Sequence, residues 1–239
     1  MKNVLVTGAS RGIGFAIAEV FKLDGWYVIG TATNKNSTNE NIYVDQWIYA
    51  DFNIDHNLDY LCQEIGNLSY LDACVNNAGI NIIKKQNLVS KNDFSMMNKI
   101  NLESPYFISA ITAQKMSELN GGKIVNLSSI WSVVTKEHRS LYSTFKTGLL
   151  GLTRAMAIEW AKHNLLINAI SPGFVKTDLT KKSLSLQQQQ EMERKVPLGR
   201  FADPSEIAKA VLFLCSEKNT YLTVIDSPQM SDSRLFIKN

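Results

Sequence analysis

The chain has 239 residues, 45% of them apolar and 20% charged, with a formal net charge of +3. That length and apolar content suffice for one large core, and interspersed charges of both signs argue against a nucleic-acid surface or a polybasic membrane anchor. The three cysteines, Cys62, Cys74 and Cys215, have no metal-ligand spacing and sit in apolar stretches, so they read as buried hydrophobes in a reducing compartment with no metal expected.

In chain order, the first apolar run, residues 4–6, is too short for a signal sequence and is followed by TGASRGIG and a helical pattern of Ile13, Ala16, Ile17, Val20 and Phe21. Further strand candidates rich in β-branched residues lie at 27–29, 47–49, 71–75, 123–127, 166–170 and 222–225, most of them separated by helical segments. Strands buried on both faces and joined by helical crossovers predict a single-domain α/β protein. Its architecture is a Rossmann-type doubly wound parallel sheet of about seven strands with helices on both faces. The Asn-rich piece at 33–46 lacks an apolar stripe, so the second crossover reads as a loop or a weak helix. SLSLQQQQEMERK at 183–195 reads either as a solvated helix or as part of a lid spanning 178–200. No run approaches the roughly 18 residues of a membrane span, so a soluble cytoplasmic protein is expected.

Two motifs carry chemistry. Gly8, Gly12 and Gly14 stand between the first strand and the first helix, where glycine lets backbone amides approach a pyrophosphate at the positive helix end. A tight strand-to-helix turn is the alternative reading, and the alternating α/β context favours a dinucleotide. In SLYSTFKTG, Tyr142 and Lys146 share one helical face at i, i+4, which suits a catalytic pair and also an ordinary solvated helix.

The glycine spacing after Thr7 resembles that of the short-chain dehydrogenase/reductase family, and the resemblance runs from about residue 3 to 222. NNAG at 76–79 follows the fourth strand as it does there. Asn101, Ser129, Tyr142 and Lys146 fall in the order and at the intervals of the family's catalytic tetrad, and SPGFVKTD at 171–178 and GRFADPSEIAKAVLFLCS match later segments. In pattern the chain is closest to 3-oxoacyl-(acyl-carrier-protein) reductases. The resemblance implies hydride transfer between a nicotinamide and a carbonyl or secondary alcohol, with Tyr142 as general acid/base. It implies that Ser129, rather than Ser128, binds the substrate oxygen and that Asn101 holds a water linking Lys146 to solvent; the alternatives are a capping or turn hydroxyl past the strand and a helix-interior polar group that satisfies backbone. Lys146, helped by the charge of an oxidised nicotinamide, is expected to lower the phenol pKa. Moving it from about 10 into the neutral range requires roughly 4 kcal/mol, about what a cation ~4 Å away supplies at an effective dielectric near 20.

The cofactor contacts implied are Gly8, Ser10, Arg11, Gly12, Ile13 and Gly14 in the loop, Asp51 and Phe52 at the adenine, and Asn77, Ala78 and Gly79 beside the adenosine ribose. Tyr142, Lys146, Pro172, Gly173, Val175 and Thr177 complete them on the nicotinamide side. No carboxylate follows the second strand until Glu40, whereas Arg11 can pair with a 2'-phosphate and Thr33 or Asn34 can donate to it, so NADP(H) is favoured over NAD(H). His138 either touches substrate or lies on the surface, and Trp131, Val133, Val134 and Phe174 either line the pocket or belong to the core. Carrier-dependent reductases dock an acidic carrier through arginines where this chain has Asn120 and His163, with Lys123 and Lys162 nearby. The tail at 223–239 lacks the family's glycines. A small carbonyl or alcohol compound is therefore the expected substrate of a homo-oligomer, dimer or tetramer. A carrier-protein reductase and a non-catalytic dinucleotide-binding protein are the alternatives.

Overall fold

The structure is a computed structural model that describes residues 1–37, 41–119, 121–177 and 186–223, with the backbone alone of 226–228. Seven strands form one parallel sheet: β1 Asn3–Val6, β2 Tyr27–Ala32, β3 Gln46–Tyr49, β4 Ala73–Asn76, β5 Gly122–Leu127, β6 Leu165–Ser171 and β7 Asp226–Pro228. Their order is β3-β2-β1-β4-β5-β6-β7, so the chain reverses direction across the sheet between β1 and β4. A crevice opens at that switch point, beyond the carboxyl ends of the strands.

Alternation along β1 divides the core. Val4 and Val6 face a layer built by α1 (Gly12–Leu23) and, later in the chain, Pro204–Cys215, with Ile17, Phe21, Ile207 and Val211 buried. Leu5 faces the opposite layer, where Leu61 and Ile65 of α2 (Asp55–Asn67) pack with Ile108, Met116 and Met156. The remaining helices among the described residues are α3 (Lys91–Asn98), α4 (Ser104–Ser117), α5 (Ser140–Glu159), α6 (Leu186–Glu193) and α7 (Pro204–Cys215). Pro204 at the first turn and a reciprocal Asp203–Glu206 capping box start α7, and Arg200 grips Glu206 through two contacts of 2.7 Å.

The sheet agrees with the fold expected from sequence, with differences at its edges. The last strand is Asp226–Pro228, whereas Leu222 and Thr223 lie outside it and 224–225 fall outside the described residues. Thr223 is tied to β6 through its hydroxyl instead, accepting from Ile167 N at 3.1 Å. Among its described residues the second crossover contains a 3-10 turn, Lys35–Ser37, in keeping with its polar composition. Cys74 and Cys215 are buried but Cys62 is only partly so, and all three are free. The expected lid at 178–200 lies partly outside the described residues; its described part includes α6, which is largely exposed except at Gln189, Met192 and Glu193.

Candidate active site

The loop after β1 is held by side chains from three other segments. The Thr7 hydroxyl accepts from Asn77 N at 2.9 Å and Ala78 N at 3.0 Å. Asn77 Nδ2 returns hydrogen bonds to the carbonyls of Thr7 and Gly8, at 2.9 and 3.2 Å. Gly8 N donates to Thr31 Oγ1 at 3.1 Å, and Asn41 Nδ2 donates to Ala9 O at 2.7 Å. These partners fix a path that other residues do not tolerate: Gly8 has φ +65°, and a Cβ on Gly14 would stand 2.1 Å from Gly8 O. The α1 N-terminus has no side-chain cap and no acidic residue in its first turn, which leaves its free N–H groups and dipole available to an anion.

A cleft of about 300 Å3 runs from this loop across the switch point. Gly8, Ser10, Arg11, Gly12 and Ile13 line one side; Thr33, Asp51 and Phe52 line the end beyond β2 and β3. Asn77, Ala78 and Gly79 form the wall after β4, and Tyr142, Lys146, Pro172 and Thr177 the far end. Ala32, Ser37, Ile80 and Ile100 also line it and were not expected from sequence. Asp51 Oδ1 is turned toward its own backbone, accepting from Asn53 N at 2.9 Å. Among the described residues lining this cleft it is the only carboxylate, and Glu40 lies outside them.

A second cavity of about 150 Å3 adjoins the first. Ser129, Trp131, Gly173, Phe174, Val175 and Met192 line it, and Tyr142 lines both cavities. Ser128 and Ser129 divide their tasks: the Ser128 hydroxyl donates to the backbone carbonyl of Lys146 at 3.0 Å, whereas the Ser129 hydroxyl accepts from Trp131 N at 3.3 Å and lines the small cavity with Tyr142, whose pKa it pulls down. The segment carrying Gly173 and Val175 is pinned by Ile130 N donating to Pro172 O at 2.9 Å and by a bridge from Val175 to Ala202.

Lys146 is buried, its Nζ donating to Leu127 O at 2.7 Å and lying 5.8 Å from the centre of the Tyr142 ring. Burial brings the Lys146 pKa down to about 8. Burial also raises the Tyr142 pKa above its ordinary value, against the opposing pull of the Ser129 hydrogen bond and the Arg139 charge. This departs from the lowering expected from the Tyr-Lys spacing. Desolvation of the phenol is the largest influence, and the Lys146 ammonium, held at Leu127 O and 5.8 Å from the ring centre, does not reverse it.

Asn101 occupies the middle of a π-helical turn, Lys99–Glu103, between α3 and α4. It is fully buried and lines neither cavity; its amide clamps the backbone of Ile80, accepting from N at 2.9 Å and donating to O at 2.8 Å. A Cβ on Gly79 would lie 3.3 Å from Asn101 Oδ1 and 3.5 Å from Lys146 Nζ, so both side chains meet the same stretch of wall. Gly14 likewise stands behind the loop rather than on the cleft.

Other sequence candidates divide. Trp131 and Phe174 line the second cavity in edge contact, with centroids 6.0 Å apart, but Val133 and Val134 do not line it. His138 is exposed with φ +67° and lines neither cavity, while its neighbour Arg139, overlooked in the sequence, is buried and does. Lys123 points inward, its ammonium donating to the carbonyls of Ser216 at 3.0 Å and Asn219 at 2.6 Å. Asn120 lies outside the described residues. Asn76 and Asn126, also overlooked, form a buried relay through Ser109 and Thr153 with contacts of 2.8 to 2.9 Å, joining β4, β5, α4 and α5 beneath the crevice. Among the described residues no group of three or more His, Cys, Asp or Glu side chains is placed to hold a metal, and no helix is long and apolar enough to cross a membrane.

A glycine cradle at a helix N-terminus, opening on a cleft at the switch point of a parallel sheet, defines a doubly wound dinucleotide-binding protein. The chain belongs to the short-chain dehydrogenase/reductase family of oxidoreductases, which bind nicotinamide dinucleotides. A family model described as enoyl-(acyl carrier protein) reductase matches residues 8–226. The 3-oxoacyl-(acyl-carrier-protein) reductase of Aquifex aeolicus is 38% identical over 231 residues, covering 93% of both chains. An NAD-dependent glycerol dehydrogenase of Listeria innocua is 30% identical over 227 residues, covering 93% of this chain and 89% of its own. A crystal structure from Sinorhizobium meliloti, assigned as a short-chain alcohol dehydrogenase, superposes with TM-score 0.90 at 32% identity, covering 98% of this chain and 96% of its own. These relatives carry different substrate names, so the family is shared while the substrate is not read from any one of them.

Proposed function

We propose that the protein is an NADP(H)-dependent oxidoreductase that interconverts a small carbonyl compound and its secondary alcohol, with Tyr142 as general acid/base. The observation that carries this reading is the position of Tyr142, which lines both the long cleft and the smaller cavity, the latter together with Ser129. The cleft fits a nicotinamide dinucleotide: a backbone loop whose path requires glycine at Gly8 and Gly14, an uncapped helix end, and walls reaching Lys146 and Pro172. When bound, that cofactor supplies or accepts the hydride. Tyr142 gives the substrate oxygen its proton in the reductive direction, Ser129 donates to the same oxygen, and Lys146 contributes positive charge beneath the phenol. Arg11 is exposed, lines the cleft and belongs to no ion pair among the described residues, which supports recognition of a 2'-phosphate. Asn101 holds the Ile80 backbone and thereby the wall against which the ring and Lys146 work.

A carrier-bound acyl substrate is the second reading, favoured by the 38% identity to the Aquifex aeolicus enzyme. Against it, Lys123 is engaged inward instead of offering a docking charge. A homo-oligomer belongs to the proposal as well: Tyr106 and Phe107 of α4 form an exposed aromatic pair, 52% and 49% accessible, suited to a protein partner. The test is a panel of carbonyl and alcohol compounds followed at the nicotinamide absorbance with both cofactors. Turnover with NADPH and not with an acyl-carrier protein substrate supports the first reading; turnover confined to the carrier substrate supports the second.

A further inference from the structure

Arg139 precedes α5 directly, one helical turn ahead of Tyr142, and is only 8% exposed. A guanidinium stays protonated at any physiological pH, and charged groups are rarely so buried without a partner. Arg139 has no ion pair among the described residues, and its Nε is buried with no hydrogen-bond acceptor. Its planar group lies over the Trp131 ring, 5.3 Å from the centroid, and the ammonium of Lys136 lies 5.5 Å from the same ring. Lys136 feels the second cation: its pKa is lowered first by burial and then by repulsion from Arg139. A second polar atom nearby is also unsatisfied, the buried Oδ1 of Asn81. Arg139, Asn81 and Trp131 line the same small cavity as Ser129 and Tyr142.

We propose that Arg139 determines specificity by binding a carboxylate, so that the substrate is a small hydroxy acid or oxo acid whose alcohol or carbonyl oxygen faces Ser129 and Tyr142. The proposal rests on the oxidoreductase reading above. A buried cation with a free donor, preset on an aromatic plane, is completed by a planar anion that accepts from its fork. A carboxylate suits the space better than a bulkier phosphate, since about 150 Å3 must also take the reacting carbon. Asn81 supplies a further polar contact for a hydroxyl group on the same molecule.

The test uses the NADPH-loaded protein and 2-, 3- and 4-oxo acids of four to six carbons, each compared with its methyl ester. For at least one chain length the wild type prefers the acid by about 100-fold in kcat/KM, the scale of losing a buried charge pair. Arg139→Met brings that ratio to within about threefold of unity by raising KM for the acid, and Arg139→Lys restores part of it. Melting curves and NADPH affinity establish that the variants are folded; if Arg139→Met does not fold, the wild-type ratio and the Arg139→Lys ratio decide. Esters turned over as well as acids at every length, or a preference that survives Arg139→Met, overturn the proposal while leaving the oxidoreductase reading intact. If neither series is turned over, the carbonyl and alcohol panel judges the oxidoreductase reading, and calorimetry with butyrate and butyramide judges the anion site alone. Tighter binding of butyrate in the wild type but not in Arg139→Met upholds the site, and equal binding refutes it.

Discussion

Lys146 lies one helical turn beyond Tyr142, its Nζ 5.8 Å from the centre of the phenol ring and hydrogen-bonded to Leu127 O at 2.7 Å. The pair is thus a buried cation beneath a buried phenol, with each group's charged form opposed by desolvation. Such an arrangement is unfavourable for folding alone and becomes intelligible as a site poised for chemistry.

The Lys146 pKa falls from 10.5 to about 8 on folding because the side chain is buried. Between these values the unfolded chain holds the proton that the folded chain has released, so this group makes stability rise as pH climbs from about 8 to about 10.5. Below pH 8 the buried ammonium destabilises the fold by roughly 3 kcal/mol. Lys146→Met removes that penalty but leaves Leu127 O without its donor, for a net gain of about 1–2 kcal/mol. At pH 7 the variant is expected to melt about 3–6 °C higher than the wild type, with the difference shrinking toward pH 10 and turnover lost. Scanning calorimetry at several pH values checks both the sign and the window.

Arg11→Ala is expected to weaken NADPH binding about 30-fold and NADH binding less than threefold, because a charge-assisted contact to the 2'-phosphate is removed and nothing else changes. Fluorescence titration with both cofactors measures this, and equal losses contradict phosphate recognition.

Asn101→Ala strips two hydrogen bonds from the Ile80 backbone at a position with no solvent access. A loss of about 2 kcal/mol follows, seen as a melting point lower by about 4–8 °C, together with weaker NADPH binding as the wall at Gly79 loosens.

Two glycines in helices separate packing from propensity. Gly14→Ala places a methyl 2.1 Å from Gly8 O, so the loop must shift, and a loss of at least about 3 kcal/mol with failure to bind cofactor is expected. A Cβ on Gly151 of α5 would meet nothing within 4 Å, and Gly151→Ala is expected to stabilise by about 0.5–1 kcal/mol. Denaturant midpoints distinguish the two.

The legibility of this chain follows from the range over which each feature is encoded. The alternation of Val4, Leu5 and Val6, the glycine spacing and the Tyr142–Lys146 interval are local patterns, and the sheet and its crevice follow from them. Features made by contacts between distant segments are hidden from a local reading: Thr31 and Asn41 gripping the glycine loop, the Asn76–Asn126 relay, and Asn101 acting on Ile80. The direction of the Tyr142 pKa runs against the expectation because spacing reports proximity and carries no measure of burial. His138 attracts notice for its chemistry and is exposed, whereas Arg139 carries a helical signal in the sequence itself, since 139, 142 and 146 recur at i, i+3 and i+7 on one face. The last strand, Asp226–Pro228, lies beyond the apolar run that suggested it.

The most direct measurement is the behaviour of Tyr142→Phe, which keeps the ring and removes only the hydroxyl. Turnover is expected to fall about a thousandfold, the scale of a lost general acid/base, while the dissociation constant for NADPH stays within about threefold of the wild type. A variant that still turns over at near wild-type rate, or one that fails to bind NADPH while its melting curve is unchanged, contradicts the role assigned to this phenol.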